Sequence, residues 1–232
     1  MIKLSKLLFF ILLCGMFLMG SKVNAAIYTT VALPEVNTNI STWTMGGEYN
    51  AIFPSTQTYN GVPFNLVKDA NGNKVFYEGT LEIPVNVYGV TNAYTLAASY
   101  CGYYGTTIGK VEFFGSGDGY YSVDLVEGNN IRDHYWGGYN NIIDGVTAVA
   151  AFNKSPGHAG FDMQLYDLPN TFLDETLLNV VFTGYNMGTA GKPWLAALTV
   201  ETSPVVTPVP ATLWLLGFGL AGLVGIRKKL KQ

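Results

Sequence analysis

The segment from Asn130 to Asn141 concentrates the side chains best suited to binding a ligand. It combines aromatic rings, amides, a guanidinium and a carboxylate within one short stretch. Aromatic faces stack on the C–H surfaces of sugars, while amide, carboxylate and guanidinium groups bond to hydroxyls. The segment therefore predicts a carbohydrate-binding site, with the candidate residues Arg132, Asp133, His134, Tyr135, Trp136, Tyr139 and Asn140. The alternative is that Ile131-Arg132-Asp133 is a strand with a salt bridge and that the rings cover a sheet face.

A second group of candidates is acidic. Asp118 lies in a glycine-rich turn, and Asp124 and Glu127 follow it closely. Carboxylates and backbone carbonyls in loops are the ligands that Ca²⁺ prefers, although the spacing is not that of an EF-hand. Asp118 and Asp124 are thus candidate ligands for a structural Ca²⁺, with a plain tight turn as the alternative. No other cofactor is expected.

The sequence predicts no catalytic residues. Nucleophilic hydrolysis requires a Ser or Cys near a His and a carboxylate, and the two histidines, His134 and His158, belong to no such motif. A glycosidase needs two carboxylates that meet in space, so any two of the 16 acidic residues leave that possibility open. Solvated carboxylates in turns and on strand faces are the simpler interpretation, and we expect a protein that is not an enzyme.

The charge of the chain is divided between its ends and its body. Seven of the 13 basic residues lie in the terminal segments, whereas all 16 acidic residues lie between them. The body therefore carries a net charge of about −10, which repels phosphate backbones and excludes nucleic acid as a partner. Neutral sugars and divalent cations are compatible with this charge.

Residues 1–25 have the layout of a secretory signal peptide. Lys3 and Lys6 precede an apolar run that is too short to span a membrane comfortably, and Val23-Asn24-Ala25 ends the segment. Signal peptidase is expected to cleave between Ala25 and Ala26. The alternatives are a permanent anchor and a lipoprotein signal at Cys14, but Cys14 follows a leucine and the apolar run continues beyond it.

Residues 26–202 read as one β domain, least regular over 26–60. Apolar and polar residues alternate along several short runs, and glycine-rich turns separate them. The predicted strands cover 80–87, 110–113, 120–126, 161–166, 178–182 and 195–200. Pro84 places the first of these at a sheet edge or a bulge, and 169–175 is the one predicted helical turn. This spacing is typical of an all-β antiparallel β-sandwich or jelly roll.

The chain closes with a Pro-rich linker over 203–210 and a glycine-studded apolar helix with a basic tail over 211–232. The uncharged run from Ala211 to Ile226 would span about 24 Å as a helix, somewhat less than a typical hydrocarbon core. Basic residues directly after such a run stay in the cytoplasm, so the tail would hold the exported body across the membrane. A simple C-terminal anchor is the plain interpretation.

These C-terminal residues resemble the PEP-CTERM sorting signal of Gram-negative bacteria. The resemblance rests on Pro208, Val209, Pro210 and Ala211, followed by the apolar helix and the basic end. Val209 stands where the signal usually has glutamate, as in variants of the Val-Pro-Leu-Pro-Ala kind. The resemblance implies recognition by an exosortase-like membrane protease or transpeptidase, transient anchoring by the helix, and release to the cell surface or extracellular matrix of an exopolysaccharide-producing host.

The body resembles a recurrent extracellular domain of PEP-CTERM proteins that is similar to galactose-binding-like jelly rolls. The similarity covers residues 60–201 and rests on the runs 87–96, 111–116, 131–133 and 195–200. Together these features predict an exported, non-catalytic surface or matrix protein of biofilms that binds carbohydrate or exopolysaccharide. Two alternatives stay open, namely a structural or adhesive protein that acts by protein contacts and a secreted glycoside hydrolase.

Overall fold

The chain folds into an all-β sandwich of mostly antiparallel sheets. The structure is a computed structural model that describes residues 26–135, 142–153 and 157–203. The predicted signal peptide, most of the predicted linker with the sorting motif, and the predicted C-terminal helix lie outside the described residues. Within the described ranges, no helix is long and apolar enough to cross a membrane.

The strands found in the described ranges form two large sheets and one hairpin. Their bounds are β1 (Ile27–Val31), β2 (Ser55–Tyr59), β3 (Val62–Leu66), β4 (Phe76–Tyr77), β5 (Gly79–Tyr88), β6 (Val90–Tyr100), β7 (Thr107–Gly115), β8 (Tyr120–Val126), β9 (Ala148–Phe152), β10 (Phe161–Asp167), β11 (Thr176–Gly184) and β12 (Lys192–Thr202). Short 3-10 helices cover Ile40–Thr42, Gly46–Ala51, Asn170–Asp174 and Gly188–Ala190.

The larger sheet has the order β1-β12-β6-β10-β9, with β4 also paired to β12, and the smaller sheet has the order β5-β11-β7-β8. The inner faces of the two sheets share one apolar core, which includes Ile83, Val111, Phe113 and Phe182. The smaller sheet turns its outer face to solvent, so its strands alternate between buried and exposed residues as the sequence predicts.

The larger sheet is buried on both faces. Its second face packs against the N-terminal part of the domain, residues 26–66. There the 3-10 helices and the β2–β3 hairpin supply Ile40, Tyr49 and Phe64 to a second core. As a consequence β6 and β12 are buried almost continuously instead of alternating. The irregular segment over 26–60 is therefore an integral covering layer that begins with an edge strand.

The predicted strands are confirmed, and Pro84 lies in β5, an edge strand that also faces a bulge in β11. The predicted turn at 169–175 is a 3-10 helix. The predicted all-β sandwich is confirmed, and the jelly-roll subclass stays a prediction.

The turn between β7 and β8 is built around a carboxylate. Glu175 Oε2 accepts hydrogen bonds from the backbone N–H groups of Gly117 at 3.0 Å and Gly119 at 3.1 Å. A Cβ on Gly119 would lie 2.6 Å from that oxygen, so a larger residue there would displace the Glu175 carboxylate. The glycine-rich turn thus surrounds the Glu175 carboxylate of the same chain.

Gly119→Ala is expected to lower the free energy of unfolding by about 1–3 kcal/mol, because the added methyl group displaces the Glu175 carboxylate. Urea denaturation measures the effect. In a Glu175→Ala background the same substitution should cost distinctly less, since the clashing carboxylate is gone. An equal cost in both backgrounds would contradict this account of the turn.

Candidate functional site

The predicted sugar-binding segment enters the protein interior over its first half. Ser99 pairs with Asp133 in a parallel bridge, Glu127 pairs with Ile131, and Tyr135 pairs with Ala159. Residues 130–134 are buried and Tyr135 is half-buried. Trp136, Tyr139 and Asn140 lie outside the described residues, so their part of the prediction stays a prediction.

Arg132 and Asp162 form a buried ion pair between this segment and β10. Arg132 Nε donates to Asp162 Oδ2 at 2.8 Å, and Nη2 donates to Oδ1 at 2.7 Å. Arg132 is 8% exposed and Asp162 is fully buried. The guanidinium therefore forms an internal cross-link to β10, which is the kind of salt bridge that the alternative interpretation names, and the sugar-binding role of Arg132 stays a prediction.

Asp133 is also turned inward. Its Oδ1 accepts a hydrogen bond from the backbone N–H of Cys101 at 3.2 Å. Burial raises the pKa of Asp133 to about 6, although hydrogen bonds from backbone N–H groups oppose the rise. Asp133 thus holds the end of β6 and contributes no carboxylate to the surface.

His134 lies in an aromatic cluster beneath the surface. Its ring stacks on Tyr100 with centroids 6.2 Å apart and lies 5.2 Å from the ring of Trp43. Burial lowers the pKa of His134 to about 4, so the ring is neutral near pH 7. Among the described residues its Nδ1 atom has no hydrogen-bond partner. The side chain is part of the second core's margin, where a sugar cannot stack on it.

The acidic candidates for Ca²⁺ are not gathered into a metal site in the described part of the chain. There, no group of three or more His, Cys, Asp or Glu side chains is placed to hold a metal ion. Asp118 is exposed in the turn that encloses Glu175, and Asp124 is exposed on β8. The backbone N–H groups of two glycines beside Asp118 donate to Glu175, and the calcium site stays a prediction.

Two adjoining pockets form a groove along the open edge of the sandwich. The first, of about 350 Å³, lies between β8 and β10, and the second, of about 450 Å³, continues toward the β6–β7 loop. Val126, Asn129 and Asp144 line both pockets. We call this continuous feature the edge groove. Its further lining residues include Tyr104, Tyr121, Val123, Asp124, Asn130, Ile142, Thr147, Gln164 and Tyr166.

The floor of the edge groove is a buried polar network. Thr95 Oγ1 donates to Gln164 Oε1 at 2.8 Å and lies 3.1 Å from the hydroxyl of Tyr166. Gln164 Nε2 also donates to the carbonyl of Ala97 at 3.3 Å. Buried polar groups are retained without a large free-energy cost only when they are partnered in this way. The network gives the groove a fixed floor.

The rim of the groove is held by short hydrogen-bonded loops. Asp144 Oδ1 accepts from the backbone N–H groups of Val146, Thr147 and Ala148, at 2.8 to 3.0 Å. Burial acts to raise the pKa of Asp144, but these bonds, together with a hydrogen bond from the Thr147 hydroxyl, lower it. Asn130 ties the other side, since its amide donates to the carbonyl of Asp124 and its oxygen accepts from Val126 N. Hydrogen bonds therefore hold both rims of the groove in place.

The ends of the groove present rings and apolar surface. Tyr104 is 73% exposed at one end, and the half-buried Tyr121 packs against Phe113 at the other. Asn129, exposed at the centre, brings an amide with two donors and an acceptor. Stacking rings that flank amide groups match the chemistry of a sugar chain. The Asp144 carboxylate, whose pKa is lowered, can accept hydrogen bonds from such a chain's hydroxyls.

Most residues of the edge groove were missed from the sequence. Asp124 and Asn130 lie within segments that the sequence singles out, whereas Tyr104, Tyr121, Gln164 and Tyr166 occupy ordinary strand and loop positions. The one local signal is Asp144-Gly145, a typical turn pair that places a carboxylate at a loop start. Their convergence depends on how β8 and β10 face each other across the sandwich.

The fold places the body among the all-β sandwiches. The C-terminal residues 206–229 match the PEP-CTERM protein-sorting motif, and the resemblance of this segment is thereby confirmed. The motif implies export, processing by an exosortase-type system and a cell-surface destination. A search of the curated proteins found no match.

Two solved structures are similar to the chain. One is the catalytic domain of a GH87 alpha-1,3-glucanase D1069A variant in complex with tetrasaccharides, at 11% identity and a TM-score of 0.30. The alignment covers 82% of this chain, which spans 28% of the glucanase chain. The other is CBM35 from Cellvibrio japonicus Abf62, at 13% identity and a TM-score of 0.26, covering 76% of this chain and 92% of that one.

The burial of His134 predicts a loss of stability in mild acid. The unfolded histidine takes up a proton near pH 6.5, whereas the folded one does so near pH 4. The stability that depends on neutral His134 is complete above pH 6.5 and is lost as the pH falls toward 4, by up to about 3 kcal/mol. His134→Gln should therefore reduce the difference in urea-unfolding free energy between pH 7 and pH 4.5.

Asp133→Asn is the matched control, because Asp133 acts in the opposite direction. Its raised pKa means that protonation favours the folded state as the pH falls through about 6. Removing that gain should enlarge the acid loss. If both substitutions shift the acid loss in the same direction, the assignment of these two groups is wrong.

Proposed function

We propose that this is an exported, non-catalytic surface or matrix protein that binds polysaccharide in the edge groove. The PEP-CTERM motif at residues 206–229 supports the destination. The observation that carries the binding function is the groove itself, where exposed and half-buried tyrosines flank Asn129 above a fixed floor of Gln164 and Tyr166. We infer as part of this proposal that the sandwich is of the jelly-roll subclass, in keeping with its two facing antiparallel sheets.

The charge of the groove favours neutral or amino-bearing sugars. Its charged lining residues among those described are acids, with Asp124 and Asp144 exposed on its rim. Uronic acid polymers would meet like charge there, as nucleic acid would. Carboxylates and amides instead accept or exchange hydrogen bonds with neutral hydroxyls.

The state of the carboxylates supports binding over hydrolysis. A glycosidase needs an accessible acid with a raised pKa next to a second carboxylate. The pKa of Asp144, on the groove rim, is lowered, and Asp133, whose pKa is raised, is only 3% exposed. Asp144 is thus accessible without a raised pKa, and Asp133 has a raised pKa without being accessible.

The sorting step predicts a shortened exported product. Mass spectrometry of the protein recovered from the cell surface should find chains without residues 227–232, because an exosortase-type system cuts near the Pro motif. Pro208→Ala combined with Pro210→Ala should retain the tail and leave the protein in the membrane fraction. A wild-type surface product that still carries Arg227–Gln232 would contradict the processing.

Polysaccharide binding is measured by affinity electrophoresis of the exported protein in gels that contain dextran, laminarin, chitosan, alginate or the host's own exopolysaccharide. At least one neutral or amino-bearing polymer should retard the protein, and alginate should not. Tyr104→Ala and Asn129→Ala should each weaken that binding about tenfold, because each removes a stacking surface or a hydrogen-bonding amide. Both residues are exposed, so the fold should tolerate either change.

Tyr88→Ala is the matched control, since Tyr88 is 63% exposed on β5, at the far edge of the smaller sheet from the groove. It should bind as the wild type does. If no polymer retards the wild type and the protein instead self-associates unchanged in all three variants, the protein acts by protein contacts and the binding proposal is overturned.

A further inference from the structure

The outer face of the smaller sheet carries an aromatic pair beside a row of polar residues. The register of β7 and β8 sets Lys110 opposite Asp124, Glu112 opposite Ser122, and Phe114 opposite Tyr120. Residues opposite each other in an antiparallel pair share a face, and the intervening residues Val111 and Phe113 are buried in the core. These three pairs therefore face solvent together.

Phe114 and Tyr120 form a solvent-exposed platform at one end of this face. Their ring centroids are 5.3 Å apart, and the side chains are 36% and 54% exposed. Two adjacent aromatic side chains on a solvent-facing sheet leave apolar surface in water that a ligand can cover. Rings placed in this way offer flat faces to the C–H surface of a pyranose.

The polar groups next to the platform are held in place by one another. Tyr120 donates its hydroxyl to Glu112 Oε1 at 2.8 Å, and Lys110 Nζ lies 2.9 Å from Glu112 Oε2. The ammonium, the carboxylate and the phenol thus form one ordered chain along the face. Fixed groups of this kind bind hydroxyls with little additional loss of side-chain entropy.

This face is continuous with the edge groove. Asp124 lines the groove and also stands opposite Lys110 on the outer face of the edge strand β8. From Asp124 to Tyr120 the strand extends about 13 Å, which is longer than a single sugar ring. A chain that leaves the groove at Asp124 would pass Lys110 and Glu112 before it reaches the two rings.

We propose that Phe114 and Tyr120, with Lys110 and Glu112, are a second binding surface for the same polysaccharide, so that the protein recognises an extended chain and not a chain end. This proposal rests on the proposed function. The surface carries Glu112 and Asp124 against one ammonium, so it shares the preference of the groove for neutral or amino-bearing polymers.

The test compares a polymer with its own short fragments. The polymer is whichever of dextran, laminarin, chitosan or the host exopolysaccharide is bound most tightly by the wild-type exported protein, and the fragments are its trisaccharides. Tyr120→Ala should weaken binding of the polymer at least fivefold and leave trisaccharide affinity within twofold of wild type, as measured by calorimetry. Tyr120→Phe, which keeps the ring and loses the bond to Glu112, should retain at least half of the wild-type affinity.

Tyr28→Ala is the control, because the Tyr28 ring packs on Tyr94 in the other sheet and lies away from this face. It should not change either affinity, and thermal unfolding of each variant confirms that the fold is kept. If Tyr104→Ala weakens polymer binding while Tyr120→Ala and Phe114→Ala do not, the groove binds alone and the second surface is refuted. If Tyr120→Ala abolishes self-association without affecting polymer affinity, the face binds a second copy and the inference is likewise overturned.

Discussion

The buried pair between Arg132 and Asp162 is the interaction on which the arrangement of this edge of the sandwich depends. A carboxylate with no exposure to water is tolerated only when a partner compensates its charge and its hydrogen bonds, and the bidentate guanidinium does both. The pair joins the segment after β8 to β10 of the larger sheet. Removing one partner alone would leave an uncompensated charge in the core, so the two residues constrain each other.

Several features of the edge groove follow from that constraint. With residues 127–135 fixed against β6 and β10, Asn130 can bond to β8 and close the edge of the smaller sheet. Asp144 then meets this loop through its backbone N–H, which donates to the carbonyl of Asn129. Arg132 and Asp133, which the sequence predicts as ligand groups, thus support the site from within, whereas tyrosines, amides and the carboxylates of Asp124 and Asp144 face the groove.

The sequence predicts the smaller sheet well because each of its strands has one solvent-exposed face and one buried face. Alternation at Leu81 and Ile83, and again along β8, carries that information locally. It does not predict the second core, because Tyr49 and Phe64 come from a segment with no regular period, and their partner sheet is buried on both faces. Nor could it show that Arg132 turns inward, since that depends on Asp162, which lies 30 residues further along the chain.

The pairing of the first and last strands of the domain has a consequence for the timing of folding. Ile27, next to the predicted cleavage site at Ala26, stands opposite Thr202, which directly precedes the linker to the sorting motif. If the chain crosses the membrane from its N-terminus, β1 cannot pair with β12 until nearly the whole domain has been translocated. The larger sheet can therefore be completed only as the sorting signal arrives, so an exosortase would encounter the tail only after the last strand has become available for pairing.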